Sequence, residues 1–180
     1  MIRDADLEDA AVIAEIYRPY VEHSVATFEE AAPDAATIAA RMSSEPRLPW
    51  LVAEADGKVV AYAYAAQHRS RAAYRWAVDC SVYLHDAFRG QGIGKLLYSA
   101  LLPTLRELGY FRVYAGIALP NLASVGLHES LGFTPVGVYA DVGYKHGAWH
   151  DVGWWQLSLR TESASAPPAE PSAWQPNARS

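Results

Sequence analysis

The chain has 180 residues, 51% of them hydrophobic and 19% charged, which suits one globular domain with a substantial core and excludes an extended disordered protein. Its net charge of −5 and the lack of a basic run argue against a nucleic-acid partner. One cysteine excludes an internal disulfide and a cysteine-based zinc site. With no membrane-length apolar run and no signal-peptide region at the N-terminus, the expectation is a cytoplasmic protein without a membrane partner.

Residues 1–3 read as a short strand. Asp6 is a good helix N-cap, and Leu7, Ala10, Ala11, Ile13, Ala14, Ile16 and Tyr17 recur at helical spacing. Pro19 is expected to end or bend that helix. Residues 20–32 are less regular, with 25–28 extended. A second helix starts at Pro33-Asp34, carries Ile38, Ala39 and Met42 on one side, and finishes before Pro46. Residues 50–55 and 59–66 read as strands joined by an Asp56-Gly57 hairpin turn. A polar loop over 67–75 carries Arg69, Arg71 and Arg75, and an apolar, β-branched strand follows over 76–85. Cys80 lies in that strand and reads as a buried structural thiol.

Next come three glycines in five residues, Gly90, Gly92 and Gly94, then Lys95 and a helical pattern that runs to Leu108. Gly109 is its natural C-terminal residue, and Pro103 predicts a kink or a local break. A strand over 111–117, a helix over 122–131 closed by Gly132, and strands over 133–144 and 151–159 complete the pattern. From residue 161 the chain is rich in Pro, Ala and Ser with a lone Trp174. The division is therefore a mixed α/β domain over 1–160 and a disordered C-terminal tail over 161–180.

Strand, glycine-rich turn and helix together suit a phosphate-bearing ligand. The turn lets backbone N–H groups approach an anion with no Cβ in the way, and a helix N-terminus adds free donors and partial positive charge. The spacing fits neither the dinucleotide fingerprint nor the P-loop. It does match Arg/Gln-x-x-Gly-x-Gly/Ala, here Arg89-Gly90-Gln91-Gly92-Ile93-Gly94, and so resembles the pyrophosphate loop of the GNAT N-acetyltransferases, which bind acetyl-CoA.

A second stretch, from Asn121 to Leu131-Gly132-Phe133, resembles the Asn-x-x-Ala/Ser helix of the same family. Segments 74–84, 119–121 and 143–156 are similar to its phosphinothricin and methionine sulfoximine acetyltransferase branch. The resemblance covers about residues 1–160. It implies the GNAT fold, an α/β fold with a mixed, mostly antiparallel sheet, splayed central strands and flanking helices. It also implies acetyl transfer from acetyl-CoA to the α-amine of a small L-amino-acid analogue such as phosphinothricin, methionine sulfoximine or methionine sulfone. Another small amine, or a catalytically silent acyl-CoA-binding domain, are the alternative readings. A homodimer with the 144–154 region near the shared surface is implied by the resemblance alone.

By the same resemblance, Val82, Tyr83 and Leu84 offer main chain to the pantetheine arm. Gly90, Gln91, Gly92, Ile93, Gly94 and Lys95 cradle the pyrophosphate. Asn121 and Ser130 belong to the cofactor site, Asn121 also to the substrate. Where many family members carry a tyrosine that protonates the leaving thiolate, this chain has His128, seven positions after Asn121; it is either that acid or a packed helix residue. At the position of Asp79, some close relatives carry glutamate, a carboxylate with a longer reach.

The chemistry asks for a general base, because an amino acid's amine is mostly ammonium at neutral pH. Asp79, a carboxylate in a mostly apolar strand, is the candidate base and amine ligand; its alternative is an ion pair with Arg71 or Arg75. Arginine suits planar recognition of a substrate carboxylate, which points to Arg71 and Arg75, with Arg69 as the third candidate. Phe28, Tyr74, Trp76 and Trp149 are candidate walls of an apolar slot. His146 and His150 form no metal motif, and no metal is expected.

Overall fold

The computed structural model describes residues 1–160 and 168–176. Its strands are β1 (Ile2–Asp4), β2 (Trp50–Ala55), β3 (Lys58–Gln67), β4 (Ala77–Leu84), β5 (Arg112–Ala118), β6 (Thr134–Lys145) and β7 (Ala148–Ser158). Its helices are α1 (Ala10–His23), α2 (Ala35–Met42), α3 (Ile93–Glu107) and α4 (Leu122–Ser130). The strands form one sheet in the order β1-β2-β3-β4-β5-β7-β6.

Every neighbour pair is antiparallel except β4 and β5, which run parallel. That pair is also the short one. It holds Ala77↔Arg112, Val78↔Val113 and Asp79↔Tyr114, and stops there, while β4 continues to Leu84 beside β3 and β5 to Ala118 beside β7. The sheet therefore splits after Asp79, leaving a wedge with peptide groups on its edges.

Strand alternation sorts β4 onto two cores. Val78 and Cys80 join Leu97, Leu101, Leu105, Val113 and Trp155 beneath α3 and α4. Tyr83 joins Ile13, Ile16, Tyr17, Ile38 and Tyr62 beneath α1 and α2. Asp79, two residues from Ser81 and four from Tyr83, shares this second face. Cys80 is buried, and burial pushes its thiol up to about 12, so the structural reading of this residue holds.

Both prolines expected to interrupt helices lie inside continuous ones, Pro19 in α1 and Pro103 in α3. Each removes one backbone donor. Buried residues beyond it hold the following turn in place, Val21 after Pro19 and Leu105 after Pro103. The first helix also starts later than its pattern suggests. Asp6 and Asp9 cap a single 3-10 turn over Leu7–Asp9, and α1 begins at Ala10. Likewise β7 begins at Ala148, because His146 and Gly147, at φ 50° and 78°, close a two-residue turn directly after β6.

The disordered reading of the tail is corrected for its described part. Pro, Ala and Ser suggest disorder, but residues 168–176 lie against the domain. Trp174 is buried, its N–H donates to the Arg47 carbonyl at 3.1 Å, and that of Ser172 donates to the Leu108 carbonyl at 2.8 Å. One aromatic side chain supplies the apolar area that the composition hides. Residues 161–167 and 177–180 of that tail lie outside the described residues.

Candidate functional site

The glycine-rich turn leads directly into α3. Gly90 and Gly92 take φ 75° and 78°, a region that L side chains rarely occupy, and Gly92 is the residue that caps the helix. Its carbonyl accepts the Leu96 N–H at 3.1 Å, the first bond of the helix, so the N–H groups of Ile93, Gly94 and Lys95 precede the helical ladder. Gly94 serves packing instead. A Cβ there would lie 3.1 Å from Leu127 of α4 and 3.8 Å from Val82 of β4. Gln91 folds back through its amide N–H to the Ala87 carbonyl at 3.0 Å, and Lys95 is exposed.

Val82, Tyr83 and Leu84 lie on β4 beyond the split, where their main chain borders the wedge. The Tyr83 ring is packed against Tyr17, Tyr20 and Tyr62. Leu84 meets a partner that the sequence does not announce: the Tyr20 hydroxyl donates to its carbonyl at 2.6 Å and accepts from its N–H at 3.1 Å. Asn121 caps α4, its side-chain oxygen accepting the Ser124 N–H at 3.1 Å. Ser130 sits exposed at the other end of α4 and donates to the Leu127 carbonyl at 2.8 Å.

His128 is buried between α3 and α4. Its Nε2 lies 3.2 Å from the Tyr98 hydroxyl and its Nδ1 lies 2.8 Å from the Ser124 carbonyl. A carbonyl only accepts, so Nδ1 carries the proton, and Nε2 is left to accept from Tyr98. Burial lowers the imidazole's pKa, which favours this neutral form.

Asp79 stands at the last paired position before the sheet splits. Neither Arg71 nor Arg75 is its partner. That partner is His68, in the link after β3, whose Nδ1 lies 2.6 Å from Asp79 Oδ1. Burial raises the carboxyl above its ordinary value, against the opposing pull of His68 and Arg69. The His68 ring stacks on Tyr114 of β5, with centroids 4.4 Å apart and planes 20° apart.

A cavity of about 410 Å³ opens on the same side of the sheet. Gly116, Ala118, Val152 and Trp154 form its floor, Tyr139 and Val142 one wall, and residues 25–28 the other. Local structure explains each wall. Gly116 leaves room for the Trp154 indole, which a Cβ would approach to 3.2 Å. The β6 register slips between Tyr139 and Gly143, with Asp141 at φ 48°, and this bulge presents Tyr139 and Val142. At Gly143 a Cβ would collide with the Phe28 ring, so that glycine lets the loop after α1 close down.

Polar bonds hold that loop. The Tyr17 hydroxyl lies 2.6 Å from Thr27 Oγ1 and donates to Glu29 at 3.0 Å, and Arg41 donates twice to Glu29 at 2.8 and 2.9 Å. Buried Lys145 donates from Nζ to the Thr27 carbonyl at 2.9 Å.

The three arginines separate. Arg69 lies over Trp154, 5.7 Å from the ring centre, and so stands beside the cavity. Arg71 is exposed at the start of a short 3-10 turn. Arg75 lies over Trp76 at 4.1 Å and pairs with Glu170 at 2.7 Å. Of the four aromatic wall candidates only Phe28 lines the cavity. Tyr74 stands edge-on to His68, Trp76 donates to the Ala169 carbonyl, and Trp149 is exposed beside Tyr144. Sequence reading missed three residues of this candidate site: His68, Tyr139 and Trp154. A histidine flanked by Gln67 and Arg69 in a polar loop carries no periodic or motif signal, and Trp154 sits beside Trp155 in a strand with nothing to set it apart.

Among the described residues no helix is long and apolar enough to cross a membrane. The sequence profile of the Acetyltransferase (GNAT) domain matches residues 2–154. A phosphinothricin N-acetyltransferase of Streptomyces viridochromogenes is 41% identical over 92% of this chain and 91% of its own length. An L-methionine sulfoximine/L-methionine sulfone acetyltransferase of Salmonella typhimurium is 39% identical over 91% of this chain and 96% of its own. The crystal structure of a GNAT superfamily phosphinothricin acetyltransferase from Sinorhizobium meliloti, in complex with acetyl-CoA, matches with a TM-score of 0.88 and 40% identity. That match covers 94% of this chain and 93% of that one.

Proposed function

The chain belongs to the GNAT acetyltransferase family, and on that premise we propose that it acetylates the α-amine of a small L-amino-acid analogue, with acetyl-CoA as co-substrate. The observation that carries this reading is the position of Asp79. It is a carboxylate at the mouth of the β4–β5 split, on the sheet face that also bears the apolar cavity. Phosphinothricin, methionine sulfoximine and methionine sulfone are the substrates of choice, because relatives that the chain matches over most of its length are named for them.

The residues present fit acetyl-CoA. The Gly90–Lys95 turn offers a run of N–H donors at a helix N-terminus, which suits a pyrophosphate. The β4 edge beyond Asp79, short of Leu84 whose peptide groups Tyr20 engages, offers peptide groups to an extended arm. When bound, acetyl-CoA supplies the activated acetyl group. The chain's own part is to hold, deprotonate and orient. Asp79 takes a proton from the substrate ammonium, so that the nitrogen lone pair is free to attack. Peptide N–H groups along the open edge are donors for charge growing on the acyl oxygen. Phe28, Tyr139, Val142 and Trp154 hold the apolar part of the amino acid, and Arg69 meets its carboxylate at the rim. We assign Arg75 to the Glu170 contact and His128 to packing, since both its ring nitrogens are engaged inside the protein. An amine, a thioester and a carboxylate complete this chemistry, and it needs no metal.

We also propose a homodimer. Val136, Val138, Tyr144 and Trp149 are 56–61% exposed on the outer hairpin of β6 and β7, where a second copy would cover them. A cytoplasmic setting, where coenzyme A thioesters are made, completes the reading.

The test is release of free thiol from acetyl-CoA across a panel of amines. Turnover with phosphinothricin or methionine sulfoximine well above that with polyamines is the expected result. Thermal stabilisation by acetyl-CoA with no turnover of any amine would overturn it in favour of a silent binding domain.

A further inference from the structure

Asp79 does not stand alone, and its neighbour has no assigned task. His68 Nδ1 lies 2.6 Å from Asp79 Oδ1, and the two side chains are 12% and 29% exposed. A carboxylate only accepts, so at this distance Nδ1 carries the hydrogen and donates it. The ring is fixed on three sides. It stacks on Tyr114, and Tyr74 and Trp154 meet it edge-on at 6.0 and 6.1 Å. Arg69 donates to the His68 carbonyl at 2.8 Å, anchoring the backbone that carries the ring. Such a set of contacts is more than a surface histidine needs, and it converges on one oxygen of the candidate base.

Resting on the acetyl-transfer reading above, we propose that His68 is the positioning residue of the reaction. By donating Nδ1–H to Asp79 Oδ1, it holds the carboxylate ionised and turned so that Oδ2 receives the substrate's proton. The step balances simply. An N–H bond of the ammonium breaks, its electron pair stays on nitrogen, the proton goes to Oδ2, and water later removes it. The groups facing the pair are Arg69 and Tyr74 from the same link, Tyr64 from β3, Tyr114 from β5 and Trp154 from β7.

The experiment compares the wild type with His68→Phe, which keeps a ring against Tyr114 but has no donor, and His68→Gln, whose amide N–H can donate. In His68→Phe the plateau of kcat/KM for the amine should fall about tenfold to a hundredfold, as misplacement of a reacting group predicts. The acid limb of its pH profile should move to higher pH, because the carboxylate loses a donor that favours its charged form. His68→Gln should restore part of the plateau and bring the limb back. A purely structural residue would lower Tm and leave the limb in place; an unchanged limb and plateau in His68→Phe overturns the proposal. A readout without turnover keeps the two readings apart. In the proton NMR spectrum of the wild type a strongly downfield Nδ1–H should appear and vanish in Asp79→Asn. If that signal is present and no amine is acetylated, the enzymatic reading has failed and not the pair. If amines are acetylated while the signal is missing and the limb unmoved, the pair has failed and not the reaction.

Discussion

The two ends of β4 are built in opposite ways. At the Leu84 end, the candidate acetyl-CoA site is made of backbone: a glycine turn at positive φ and the first peptide groups of α3. Every part lies within a few residues of the next, and side-chain identity hardly enters except as the absence of a Cβ. At the Asp79 end, the candidate substrate site is made of side chains from separate elements. His68 follows β3, Tyr114 comes from β5, Trp154 from β7, Tyr139 and Val142 from the β6 bulge, and Phe28 from the loop after α1. One end is local and tolerant of side-chain change outside its glycines. The other depends on side chains that tertiary packing brings together from separate elements.

Four substitution experiments would break or sharpen the contrast. The largest effect should come from Asp79→Asn. It keeps the shape and removes the base, so kcat should fall by roughly 10²- to 10⁴-fold in a steady-state assay. Acetyl-CoA affinity, measured by calorimetry, should stay within about twofold by the same logic, since backbone at the other end supplies it. Gly92→Val is the mirror case. Nothing lies within 4 Å of a Cβ there, so the penalty is conformational, a β-branched residue at φ 78°. Left-handed backbone costs about 1–2 kcal/mol, which predicts acetyl-CoA binding weaker by about five- to thirtyfold. If the turn instead tolerated valine at full affinity, the glycine cradle would lose its argument.

Phe28→Ala should raise the amine KM by about tenfold through lost apolar contact, and leave the acetyl-CoA KM alone. An equal rise in both would mean that the loop after α1 serves the two ends together. The smallest effect is on stability. Burial raises the Asp79 carboxyl in the folded protein above the ordinary 3.8, so the folded state holds that proton more tightly than the unfolded chain does. Ionised Asp79 therefore costs stability at neutral pH, and the cost fades as pH falls through the raised value toward 3.8. Asp79→Asn should melt about 1–3 °C higher than the wild type at pH 7, with the gap closing toward pH 4. A lower Tm at pH 7 would mean that the His68 contact outweighs the burial.

Much of this molecule was legible as sequence, and for a physical reason. Helical and alternating apolar periods report which faces a chain must bury, and they placed the strands and helices in the right order. The glycine turn was legible because positive φ is a local demand that glycine meets. Asp79 stood out because a carboxylate in an apolar strand needs a partner. Cys80 was read as buried for the converse reason.

What the sequence hid depends on contacts between distant residues. Its own patterns favoured Arg71 and Arg75 for the substrate. The folded chain lays Arg75 on Trp76 and Glu170 and brings Arg69 to Trp154 instead. No local pattern marks 168–176 as ordered, since Trp174 has its partner at Arg47 and Ser172 at Leu108. The prolines of α1 and α3 look like helix breaks until buried neighbours are counted on both sides. His68 becomes meaningful only because antiparallel pairing of β3 with β4 carries it back alongside Asp79. By itself the sequence determined the elements, the glycine turn and the carboxylate, all set by short-range conformational and burial preferences. Only the tertiary structure decided which arginine lies over Trp154 and which histidine meets Asp79, because those choices depend on how strands far apart in the chain come to lie side by side.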